Sequence, residues 1–208
     1  MHPNPAFRKT PDDENIAFAR AQGFGMLAVT TGAAPLVSHI PFLLNETGDT
    51  AEFHLVRSNP IARALSKPLQ ARLAVQGPNS YISPDWYWVE EQVPTWNYVA
   101  VHLVGEVELR PAEELRDLID RQSAVMEQQL KPKSPWTSGK MTPDYLDKMM
   151  RQIVPCRMRV DDINGTWKLN QNKPADVRLR AADQVDAYGI GTEVRVLAGL
   201  MKGVDSPG

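Results

Sequence analysis

The chain has 208 residues, of which 42% are hydrophobic and 23% charged, with one cysteine and a formal net charge of -2. That is enough for one packed domain and excludes an intrachain disulfide framework. It also lacks the basic stripe of a general nucleic-acid binder and any run of membrane-spanning length, so a soluble, cytoplasmic protein is expected.

The first eleven residues are proline-rich and read as an extended arm. Asp12 or Asp13 caps a predicted helix over 14–22, which Gly23 ends. Strands are predicted over 25–31, 35–45 and 51–56, with turns at 32–34 and 46–50 and an edge or bulge at Pro41. Asn59-Pro60 opens a short helix, Asn as cap and Pro at the first helical position. A fourth strand is predicted over 70–76. Residues 81–95 form an aromatic loop that Pro84 and Pro94 keep irregular, and from Trp96 a β-branched run continues as a strand to Leu109. Helices are predicted over 111–130 and from Pro143, a loop over 131–139 between them, and a strand over 153–160. A turn is expected at Asn164-Gly165, then helices over 174–187 and 192–201, with frayed last residues. Hairpin-connected strands with no βαβ rhythm predict a mainly β protein, an antiparallel barrel with helices outside it. The expected organisation is a single domain over 1–208, with a two-helix excursion at about 111–152 and a helical tail at about 174–208.

Two clusters could carry chemistry. Arg57-Ser58-Asn59-Pro60 presents a guanidinium, a hydroxyl and a helix start, which suit a phosphate. Lys168, Asn170, Gln171, Asn172 and Lys173 follow a tryptophan and could read a polar edge or a phosphate oxygen. His2, His39, His54 and His102 show no helical i, i+4 pairing, so no metal site is expected. Cys156 reads as a small buried hydrophobe. No catalytic residue can be assigned; Tyr98 and His102 are the proton donors an enzyme would have to draw on.

Several blocks together resemble the PaiB-type family, often called FMN-binding negative transcriptional regulators. They are Pro41-Phe42-Leu43-Leu44, the run from His54 to Pro60, Gly77-Pro78 with the run from Tyr81 to Tyr87, the run from Val93 to His102, and the run from Lys168 to Lys173. The chain has Ser58 where that family usually has Ala, Asn170 where it has Ser, and Lys173 where it has Arg. The resemblance implies a flavin-reductase-like split β-barrel, similar to pyridoxamine-phosphate oxidases, whose homodimer holds FMN between subunits. By position, Arg57, Ser58 and Asn59 would lie near the FMN phosphate, Lys168, Gln171 and Asn172 would border the same groove, and Trp96 and Asn97 would flank the ring. The implied function is a flavin-dependent redox or sensory protein. Two alternatives are a negative transcriptional regulator acting on DNA or a protein partner, and a haem-binding split barrel.

Overall fold

The computed structural model describes residues 2–32 and 34–204. Ala33 of the expected turn and the last four residues of the expected frayed end lie outside them. The described strands are β1 (Phe24–Val29), β2 (Leu36–Pro41), β3 (Leu43–Leu44), β4 (Thr50–Val56), β5 (Leu69–Ile82), β6 (Thr95–Leu109), β7 (Ile153–Lys168) and β8 (Gly191–Thr192). The described helices are α1 (Asp12–Gln22), α2 (Pro60–Ala64), α3 (Leu115–Gln128), α4 (Pro143–Met150), α5 (Ala175–Tyr188) and α6 (Val194–Gly203). The strands form one sheet in the order β2-β1-β5-β6-β7-β4-β3, with β8 on β5. Its β1–β2, β1–β5, β3–β4, β4–β7 and β5–β8 pairs are antiparallel. This is the mainly β, split-barrel class with peripheral helices. No described helix is long and apolar enough to cross a membrane.

The chain forms two compact units. The second comprises 16–74 and 103–163. Within it Leu27, Leu73 and Leu103 are fully buried, each contributing about 1.5–3 kcal/mol by leaving water. Gly105 in β6 has a steric reason: a Cβ there would meet the Arg159 carbonyl oxygen at 1.9 Å. The expected single strand over 35–45 is divided at Phe42 into β2 and β3; the Phe42 N–H still donates to the Gly23 carbonyl, in register with the β1–β2 ladder. The expected helix from 111 starts with a short 3-10 turn, Ala112–Glu114, before α3.

The first unit comprises 1–15, 75–102 and 164–208. Here three expectations change. The N-terminal arm is not simply extended: Pro5–Phe7 forms a 3-10 turn capped by Asn4, and Phe7 is buried. β5 does not stop at Gln76, because Asn79 and Ser80 pair with β8 and the Tyr81 N–H donates to the Ile190 carbonyl. No turn forms at Asn164-Gly165, where β7 runs through. The glycine makes room for the buried Asn15, whose Oδ1 would lie 2.1 Å from a Cβ at 165. That Oδ1 accepts from Trp167 Nε1 at 2.9 Å, and Asn15 Nδ2 donates to the Thr10 carbonyl at 3.1 Å.

Candidate functional site

The end of β7 sets up a concavity in the first unit. Asn170 follows it with φ 61, a left-handed conformation that Asn tolerates better than most residues. Its Nδ2 donates to Tyr87 Oη at 3.2 Å, and its carbonyl accepts the Lys173 N–H at 3.0 Å. The reversal brings Lys168, Asn172 and Lys173 to one cavity of about 270 Å3, shared with Phe7, Tyr87 and Thr95. The Asn170 amide reaches Tyr87 while its backbone turns.

Lys168 Nζ donates to Thr95 Oγ1 and lies 5.8 Å from the Phe7 ring centre. Lys173 Nζ donates to Gln92 Oε1 and sits 4.2 Å from the Tyr87 ring centre. Burial depresses the pKa of both ammonium groups, and the charge of Lys173 depresses that of Lys168 further. His2, on the cavity wall, is also held below its ordinary value by burial and then by Lys168. Glu91 is the carboxylate on the rim, yet it forms no ion pair with either lysine among the described residues.

Gln171 has a different task from the expected one. Its Nε2 donates to the Ala6 and Trp167 carbonyls and its Oε1 accepts the Leu169 N–H at 2.8 Å. It pins the N-terminal turn that walls the cavity. Trp96 and Asn97 point opposite ways, as strand neighbours must. Trp96 is 46% exposed and meets Tyr81 edge-on with centroids 6.4 Å apart. Asn97 is fully buried, its Nδ2 on Met201 Sδ at 3.5 Å and its Oδ1 without a partner among the described residues. Its side chain faces α6 and is not presented beside the Trp96 ring.

Arg57, Ser58 and Asn59 lie in the second unit, between β4 and α2. Arg57 Nε donates to the Arg151 carbonyl at 3.0 Å and Nη2 to that of Ile153 at 3.3 Å. Those bonds fix the fork of a side chain that is exposed. Ser58 is exposed. Asn59 caps α2, accepting from the Ile61 N–H at 2.8 Å and donating to Ser38 Oγ at 2.8 Å, so its amide is committed to structure. A fixed guanidinium beside a free hydroxyl fits a phosphate monoester, and a half-exposed indole fits a flat ring.

The other titratable candidates are poor catalysts. Burial pushes the Cys156 thiol up to about 12, so it is no thiolate at neutral pH. Burial lowers His54 and raises Tyr98. No group of His, Cys, Asp and Glu among the described residues could hold a metal ion. The sequence reading missed Phe7, Tyr87 and Thr95 as cavity walls. The spacing of Lys168 and Lys173 around an Asn was the available signal.

A family model described as "Putative FMN-binding domain" matches residues 1–162. The chain is 31% identical over 182 residues to "Protease synthase and sporulation protein PAI 2" of Bacillus subtilis, covering 86% of each. An uncharacterized protein of Aspergillus fumigatus is 24% identical over 92% of this chain and 91% of its own. Among solved structures, an FAD and heme binding protein of Mycobacterium smegmatis aligns with TM-score 0.58 at 15% identity, over 89% of this chain and 82% of that one. A conserved hypothetical protein of Mycobacterium tuberculosis aligns with TM-score 0.54 at 15% identity, over 78% and 88%.

Proposed function

We propose a redox or sensory role for this chain, which belongs to the FMN-binding domain family typified by PaiB and has FMN as its cofactor. When bound, FMN supplies reversible one- and two-electron transfer; the protein supplies binding, orientation and electrostatics. The observation that carries this reading is Trp96. In β6 the inward residues Asn97, Val99, Val101 and Leu103 are fully buried, while this large indole stays 46% exposed. An open aromatic wall braced by Tyr81 is suited to holding a planar ring in one orientation. Arg57, its fork fixed by two backbone carbonyls, and Ser58 are suited to the phosphate.

The working form in this reading is a cytoplasmic homodimer with the flavin at the subunit contact. The exposed Trp88, Val93, Tyr188 and Ile190 of the first unit support such a contact. The test is anaerobic reduction of the FMN-loaded protein with NADH and with NADPH, followed by air. The visible flavin absorbance should bleach and return, and Trp96→Ala should change the rate or the flavin retention. Flavin that neither nucleotide nor dithionite can bleach would refute a redox role, and a monomeric mass in solution would refute the dimer.

A further inference from the structure

The Lys168–Lys173 cavity is the feature that the flavin reading leaves over. The cavity is built entirely from one unit. At about 270 Å3 it lies just under the usual range of roughly 300–1,000 Å3 for drug-sized ligands, so a small group fits it.

We propose that this cavity binds the anionic group of a small ligand other than FMN, a phosphate monoester or a carboxylate. The claim rests on the reading that the flavin phosphate meets Arg57 and Ser58. Two half-buried ammonium groups share the cavity without a carboxylate partner. Each donates to a neutral oxygen and lies near an aromatic face, and Glu91 on the same cavity pairs with neither. Desolvated like charges raise each other's free energy, and a bound anion removes both penalties at once. Thr95 Oγ1 and the exposed Asn172 amide add neutral donors for the remaining anion oxygens, and Tyr87 and Phe7 offer apolar surface to the ligand's body. In a flavin-dependent reaction this anion would anchor the second reactant.

The probe is inorganic phosphate, titrated calorimetrically into FMN-loaded protein in a phosphate- and sulfate-free buffer. Three proteins are compared: the wild type, Lys173→Gln and Arg57→Gln. The expected result is one phosphate per chain in the wild type and at least a tenfold weaker affinity in Lys173→Gln with flavin content unchanged. Arg57→Gln should lose flavin while its phosphate affinity stays. Lys168→Gln provides the same readout if Lys173→Gln does not fold. Absence of phosphate binding at millimolar concentration, or equal affinity in wild type and Lys173→Gln, overturns the proposal. So does parallel loss of flavin and phosphate in Lys173→Gln, which would make the cavity the seat of the flavin's own phosphate. Lysine-dependent phosphate binding by a chain that never takes up FMN would support the cavity and refute the flavin reading alone.

Discussion

The two units treat charge in opposite ways. In the second, several arginines are matched to acids: Glu52 bridges Arg121 at 2.9 Å and Arg157 at 3.0 Å, Arg110 grips Glu108 and Glu114, and Arg159 holds Glu106 and Asp161, while Arg57 donates to backbone carbonyls. In the first, Arg180 and Lys202 have acidic partners, but Lys168 and Lys173 donate to neutral oxygens and pair with no carboxylate among the described residues. A scaffold satisfies its own groups; a surface held for a ligand leaves charge unmatched. The contrast marks the Lys168–Lys173 cavity as the place in the first unit where charge is left for a ligand to balance.

The sharpest way to break the scaffold half is Gly105→Ala. Its Cβ would enter the Arg159 carbonyl of the neighbouring strand, backbone that cannot rotate away. A loss of about 3 kcal/mol is expected by urea unfolding, with the flavin lost only as the fold is lost. Next comes Glu52→Gln, which strips one side chain, 22% exposed, from two arginines. It should cost about 1 kcal/mol, and salt should shrink the difference. Lys173→Gln should have the opposite sign: in anion-free buffer the urea midpoint rises slightly, because a desolvated cation has been removed. If it falls as Glu52→Gln does, the proposed contrast between the units is wrong.

The smallest effect is on pH. Lys168 and Lys173 have folded-state pKa values below the ordinary lysine value, so the unfolded chain keeps these protons to higher pH. Stability should therefore rise with pH as each folded value is passed, level off above the ordinary value, and be lost again as pH falls back. Lys173→Gln should flatten that rise in an alkaline series of urea melts. Added phosphate should flatten it as well, by stabilising the charged forms.

Much of this was legible beforehand. β6 lies where the β-branched run after Pro94 placed it, because burial alternates along it as the residue pattern does. Asn59-Pro60 opened a helix as their types require. What failed was punctuation. Gly165 reads as a turn residue, but it is glycine because Asn15, 150 residues away in sequence, occupies the space of its side chain. Gly77-Pro78 reads as a strand end, but β8 from far along the chain extends the ladder past it. At the site, the lysine and amide cluster was visible, while its division of labour was not. Gln171 turns inward to clamp Ala6, and Asn97 faces Met201, because each side chain answers to a partner the local sequence does not name.

The most direct test of the central claim is an FMN titration followed by tryptophan fluorescence, in the wild type and in Trp96→Phe. One FMN per chain is expected, with strong quenching in the wild type, much of it missing in Trp96→Phe. Equal quenching in both, or no FMN uptake, would contradict the assignment of that open indole to the flavin.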